Sequence, residues 1–300
     1  MAIPETQLET WAHQGAIAQS RDTYATVKRA LEATAANYAG KEFGIFLLGS
    51  YGNDTNIYAE SDVDVVIRLD SIFYHDTSDL SPKELALFNA EFSPGTYPYE
   101  QYKDDVLAVL RTNFGAQAVR PANRAIKIAA SNTRRSADVV VAAQFRRYRS
   151  AGLVGETLGP QYEQGICFFA NSDRIVNYPK QHSANCTEKH QRTNGWFKPT
   201  VRIFKNMRSR LVSTGAIPSG SAPSYFIEGL LYNVPDEKFG KTYDATFVSA
   251  VNWLLQASHA EFVCANERHY LVRDSTATSW PCNNYDSFLK ALVKMWNNWT

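Results

Sequence analysis

Residues 63–69, VDVVIRL, are nearly all apolar, and such a run fits a strand covered on both faces of a sheet. FGIFLL (43–48) reads as a buried strand upstream of it, and AIKIAAS (125–131) and ADVVVAAQFR (137–146) read as a further neighbouring pair. Acids stand where these strands begin. Asp62 and Asp64 are spaced i, i+2, so on a strand their side chains share a face. Asp138 opens the apolar run ADVVVAA, and FGIFLL runs directly into Gly49-Ser50.

Paired carboxylates at a strand start can hold Mg²⁺ over a triphosphate, with Mn²⁺ as an alternative ion. Phosphoryl transfer asks the protein mainly for positioning and for charge stabilisation. In a two-metal arrangement one ion activates the attacking hydroxyl and the other bridges the leaving group. Mg²⁺ favours one or two carboxylates plus phosphate oxygens. Asp62 and Asp64 are expected to serve both ions, and Asp138 to complete the ion nearer the hydroxyl and to help as base. Gly49-Ser50 would turn backbone N–H groups toward phosphate oxygens, with the Ser50 hydroxyl as a further donor.

Lys198, Arg202 and Lys205 share one helix face by spacing. That face is either solvated or set against triphosphate oxygens. Ser224 and Tyr225 read either as a helix cap and a core residue or as part of a site. His182, Cys186 and His190 lie four apart and on a helix could chelate zinc, but HSANCTEKH reads as poor helix and lacks a fourth ligand. No Ser-His-Asp, Cys-His or dinucleotide-type glycine pattern competes with a nucleotidyltransferase.

Residues 4–36 read as one long polar helix, with helices also over Pro82–Ala90 and Tyr102–Phe114. Beyond about residue 185 the chain turns helical. TNGWFKPTVRIFKNMRSRLVSTG carries Pro199 in its first turn and Gly215 past its end. PSYFIEGLLYNV, TFVSAVNWLLQAS and YDSFLKALVKMWNNW are three more amphipathic helices. The expected organisation is a catalytic lobe over 1–185 and a helical lobe over 186–300. The 300 residues are 44% hydrophobic, enough for a sizeable core. With 31 Lys+Arg against 30 Asp+Glu, the net charge of +1 shows no global basic excess of the kind nucleic-acid partners favour. No apolar run approaches the roughly 18 residues of a membrane span, and no secretory signal is visible. Cys167, Cys186, Cys264 and Cys282 are scattered, as reduced thiols of a cytoplasmic protein would be.

GSYGNDTNIYAESDVDVVI with ADVVV resembles the DNA polymerase beta-type nucleotidyltransferases. VNYPKQH (176–182), TNGWFKPTVRIFKNMR (193–208), APSYFIEGLLYNVPDEKFG (222–240) and the N-terminal IPETQLETWAHQGA resemble the bacterial cGAS/DncV-like nucleotidyltransferases, clade E, over nearly the whole chain. The resemblance implies an α/β (α+β) polymerase-beta-like palm with a C-terminal helical lobe closing a nucleotide cleft. It implies a monomeric cyclic dinucleotide synthase in anti-phage (CBASS) defence, its product acting on a separate effector, with UTP and ATP as substrates and no nucleic-acid activator. It carries metal binding to Asp62, Asp64 and Asp138, and donor-triphosphate binding to Gly49, Ser50, Lys205 and Ser224. It also carries base stacking to Tyr225 and uracil recognition to Asn177, giving cyclic di-UMP or cyclic UMP-AMP. Leu48 stands where many relatives have Gln. The alternatives are a template-free RNA or small-molecule nucleotidyltransferase, and an inactive nucleotide-binding module.

Overall fold

The computed structural model describes residues 2–15, 17–58, 62–150 and 162–299. In chain order its elements are α1 (Glu5–Ala12), α2 (Ala18–Leu31), β1 (Phe43–Leu47), α3 (Gly49–Gly52), β2 (Val63–Asp76), α4 (Pro82–Glu91), α5 (Tyr99–Phe114), β3 (Val119–Pro121), β4 (Ile126–Ile128), β5 (Ala137–Tyr148), β6 (Tyr162–Ala170), β7 (Asp173–Asn177), α6 (Pro179–Arg192), α7 (Phe197–Ser213), α8 (Ser224–Asn233), α9 (Tyr243–Gln256) and α10 (Cys282–Asn297). Two compact units interleave along the sequence. One comprises Arg21–Leu47 and Asp62–Tyr178; the other comprises Met1–Ser20, Leu48–Ser61 and Pro179–Thr300. A division at residue 185 follows the chain linearly, whereas the units exchange segments, and Gly49-Ser50 is grouped with the C-terminal helices.

The first unit is built on a mixed sheet ordered β1-β2-β5-β4-β3, with β6 joining β5 and β7 joining β6. β2 and β5 run parallel, while β1–β2, β4–β5, β5–β6 and β6–β7 are antiparallel. Val63, Val65, Val66, Ile67, Val139 and Val141 are all buried, as the apolar runs require. β1 is half-buried along its length rather than buried. β2 extends past Leu69 to Asp76 through a register irregularity between Leu69 and Phe73. Asp70, which ends the apolar pattern there, is paired with Arg68 at 2.6 Å. AIKIAAS yields only the short β4. The β6–β7 hairpin has no counterpart in the sequence reading. Its two-residue turn, Asn171-Ser172, has φ of +49° and +72°, the left-handed pair that such hairpins use. Ser in place of the usual Gly conceals it.

In the second unit, Phe197 and Phe204 of α7 and Phe226, Leu230 and Leu231 of α8 lie in a core with Phe288 and Leu292 of α10. Full burial of each such side chain contributes about 1.5–3 kcal/mol. The expected helix over 4–36 is two helices. Gly15 between them donates its N–H to the Asn56 carbonyl at 3.0 Å, and a Cβ there would lie 2.5 Å from the Ile57 carbonyl carbon. Only glycine fits so close an approach. HSANCTEKH is helical after all, as part of α6. Burial of Cys186 and His182 outweighs its weak intrinsic propensity. In α7, Pro199 sits in the first turn and Gly215 follows the end with φ +71°, as expected. Ser224 is the first helical residue of α8, with Pro223 at the cap position, so the helix-cap reading of Ser224 does not hold.

Candidate active site

In the sheet unit the three candidate acids come together through strand register. Asp64 lies opposite Asp138 on the parallel pair β2–β5, and Val63 lies opposite Ala137. Asp62 immediately precedes β2, and its charge, like that of Asp64, acts on Lys127. The Ser136 hydroxyl donates to Asp62 Oδ1, and the Val63 N–H bonds the Ser136 carbonyl at 3.0 Å, which ties the two strand entrances together. A fourth residue joins them that sequence reasoning missed. Lys127 of β4 stands opposite Asp138, with Nζ 2.9 and 3.2 Å from its carboxylate oxygens. The hydrogen bond to Asp138 holds the Lys127 ammonium above its ordinary range, and the charges of Asp62 and Asp64 add to it. Its signal was faint: one lysine in an otherwise apolar run beside the strand that bears Asp138.

Asn177 closes β7. Its Oδ1 accepts the Tyr178 N–H at 2.8 Å, so the amide is tied to the backbone on its carbonyl side. Gly165 of β6 makes room for this end of the hairpin. A Cβ there would lie 2.7 Å from the Asn177 carbonyl oxygen and 3.1 Å from the Tyr178 ring. Gly165 was not singled out from sequence, because a strand glycine alone does not announce what approaches it.

In the helical unit, Gly49 and Ser50 open the single turn of α3. Gly49 has φ +64°, a left-handed conformation that a side chain would strain. The turn runs into Asn53-Asp54-Thr55, whose Asn53 and Thr55 N–H groups bond the Gly49 and Ser50 carbonyls at 3.1 and 2.9 Å. The basic stripe of α7 is aimed at this loop, and the solvated-face reading fails. Lys198 Nζ pairs with Asp54 Oδ2 at 3.0 Å, Arg202 donates to the Asp54 carbonyl at 2.7 Å, and Lys205 donates to the Thr55 carbonyl at 2.8 Å. Lys205 is completely buried.

Tyr225 is partly buried. Its ring stacks on His182, with centroids 4.8 Å apart and planes at 22°, and its hydroxyl accepts from Asn266 at 3.1 Å. Burial pushes its phenol well above the ordinary range.

The His182, Cys186 and His190 triplet does not assemble. His190 Nδ1 accepts from the Lys198 N–H at 3.3 Å instead. The ligand atoms of His182 and Cys186 come within 4.8 Å of each other and of Glu228. Both Glu228 oxygens accept hydrogen bonds from Asn53, Thr55 and His182, and burial pushes the Cys186 thiol well up. Among the described residues no helix is long and apolar enough to cross a membrane.

Residues 184–297 match the family described as the cGAS/DncV-like nucleotidyltransferase C-terminal helical domain. A cyclic UMP-AMP synthase of Rhodothermus marinus is 38% identical over 301 residues, covering 100% of this chain and 99% of that protein. A cyclic dipurine nucleotide synthase of Elizabethkingia meningoseptica is 33% identical, over 80% of this chain and 79% of that protein. The solved Rhodothermus marinus CdnE c-UMP-AMP synthase, with Apcpp and Upnpp, superposes with a TM-score of 0.86 at 37% identity, covering 99% of this chain and 97% of that one. With an α/β sheet unit, a helical unit and this likeness along its whole length, the chain belongs to the cGAS/DncV-like nucleotidyltransferases, among the cyclic nucleotide synthases of the CdnE type.

Proposed function

We infer that the chain joins two ribonucleoside triphosphates into a cyclic dinucleotide in two steps, releasing two pyrophosphates. Its substrates are UTP and ATP, and its product contains uridine, as cyclic UMP-AMP or cyclic di-UMP. The observation that carries this reading is the register that sets Asp138 opposite Asp64, with Asp62 just before the same strand. Two Mg²⁺ ions, when bound, would activate the attacking hydroxyl and neutralise the leaving pyrophosphate. Asp62, Asp64 and Asp138 would hold them, Asp138 would also help take the proton of the hydroxyl, and Lys127 would compete with the metal for Asp138. Gly49, Ser50, Lys205 and Ser224 serve the donor triphosphate. Tyr225 stacks a base on the ring face that His182 does not cover.

Base choice rests on Asn177. A free amide could meet the uracil edge with two bonds. Here Oδ1 is engaged by the Tyr178 N–H. The amide then recognises uracil through its NH₂ and a base carbonyl, and pocket size must do the rest. The likeness to a cyclic UMP-AMP synthase supports uridine, while the dipurine relative marks base choice as the variable feature.

The product would act on a separate effector in CBASS defence, and the enzyme would work as a cytoplasmic monomer without a DNA or RNA activator. The deciding experiment is incubation with all four NTPs and Mg²⁺, with mass spectrometry of the phosphatase-resistant product. A uridine-containing cyclic dinucleotide is expected. A linear or conjugated product would overturn cyclisation, and a purely purine ring would overturn the role of Asn177. Added duplex should leave the rate unchanged.

A further inference from the structure

The loop that follows the Gly49-Ser50 turn is held from the far side by a residue with no role in the reading above. Glu228, one turn into α8, is 1% exposed. Its Oε2 accepts from Asn53 Nδ2 at 2.8 Å and from His182 Nε2 at 2.7 Å, and its Oε1 accepts from the Thr55 hydroxyl. Asn53 and Thr55 in turn bond the carbonyls of Gly49 and Ser50. An unbroken chain of hydrogen bonds therefore runs from a buried carboxylate to the turn. The same loop receives Lys205 through the Thr55 carbonyl.

Burying a carboxylate is costly unless it is paired and fully hydrogen-bonded, and packing alone would be served better by an apolar side chain. A carboxylate is also the one side chain here that presents only acceptors. Asn53, Thr55 and His182 all arrive as donors, and a carboxamide keeps only one acceptor oxygen and no charge for the three of them. Burial raises the Glu228 carboxyl, but His182, Lys205 and Thr55 together bring it below the ordinary carboxylate range, so the anion persists.

We propose that Glu228 is a positioning residue for the nucleotide turn: by fixing Asn53 and Thr55 it sets the backbone of Gly49-Ser50 and the Lys205 ammonium to receive a triphosphate. This rests on the reading of Gly49-Ser50 as the triphosphate turn. Three variants test it: Glu228→Gln, Ser50→Ala and their combination. Each is assayed by pyrophosphate release from an equimolar NTP mixture with Mg²⁺, alongside thermal melting of the free protein. Glu228→Gln is expected to raise the KM for NTP about tenfold, the scale of one lost hydrogen bond to a charged group. The double variant should raise KM by less than the product of the single effects, because both act through one turn. Thr55→Val, which removes one bond to the carboxylate at similar volume, should move KM the same way, also by about tenfold; it carries the test if Glu228→Gln does not fold. A raised KM in Ser50→Ala with an unchanged KM in folded Glu228→Gln, or in Thr55→Val in its place, overturns the proposal alone. So does a melting-temperature loss with no change in KM, or single effects that multiply. An unchanged KM in Ser50→Ala overturns the triphosphate reading and this proposal with it.

Discussion

The two ends of the candidate machinery are built on opposite principles. The acids of the sheet unit stand at strand entrances, and Asp138 and its partner Lys127 have side chains 22% and 56% exposed. They are gathered by backbone register. In the helical unit, Lys205 and Glu228 have no meaningful exposure. There each charge is matched by designated partners, and the loop they hold is tied from several sides. The contrast suits the proposed function. Carboxylates that would exchange partners with a cation and a substrate are loosely paired, and a loop that would present fixed N–H groups is held.

Changing both Asp62 and Asp64 to Asn tests the loose end most severely. Product formation should fall by orders of magnitude. The melting temperature should change little, since neighbouring carboxylates repel each other and the one ammonium beside them, Lys127, is bonded to Asp138. Near wild-type turnover would remove the acids from the site. Lys205→Ala tests the tight end and should show the reverse balance. Removing one member of a buried charge cluster should cost roughly 3 kcal/mol of stability, read by urea unfolding, together with weaker NTP binding. A variant of unchanged stability would mean that the buried ammonium is not matched as described.

Asn177→Ser is a finer probe. Ser can keep a hydrogen bond to the Tyr178 N–H but loses the amide NH₂. The product should shift toward purines by mass spectrometry with little change in melting temperature. Retention of the wild-type product spectrum would return Asn177 to a purely structural role at the end of the hairpin. Lys127→Ala should change stability by less than about 1 kcal/mol, as an exposed ion pair does. It should also lower the Mg²⁺ concentration needed for half-maximal activity, because a competing cation has gone. A raised Mg²⁺ requirement would contradict that.

The smallest effect is on pH. The Glu228 carboxyl lies below its usual value of 4.5 in the folded chain. Its contribution to stability is therefore present above the unfolded carboxylate range and is lost as pH falls through the lower folded value. The stability gap between wild type and Glu228→Gln should narrow on acidification below pH 4.5 and stay constant above it. A gap independent of pH would mean that the anion is not what stabilises the loop.

The loose end was legible in the sequence and the tight end was not, for a physical reason. Asp64 and Asp138 break apolar runs, and Asp62 stands just before one. Pro199 and Gly215 punctuate α7 in the same readable way. Glu228 sits in a helical pattern where a glutamate is the least remarkable of residues. Its partners Asn53 and Thr55 lie 175 and 173 positions away. Lys205 was recognised as part of a shared face, but spacing cannot tell whether that face meets water or a loop. The division of the 4–36 helix was hidden for a similar reason, because what forces it is the approach of Asn56 and Ile57 to Gly15.

The interleaving of the two units sets the order of events when the chain is made. Strands β1 and β2 can pair soon after they leave the ribosome, since Leu47 and Val65 are register partners separated by a short stretch. The stretch between them belongs with helices that begin at Pro179. Until α8 is synthesised, Asn53 and Thr55 have no carboxylate to meet, and their segment must wait as a solvated loop on a nascent hairpin. Sequence separation of this kind slows folding. The step that completes the Gly49-Ser50 turn is therefore among the last, so a chain truncated before residue 228 would carry all three acids and still lack the carboxylate that holds the turn's loop.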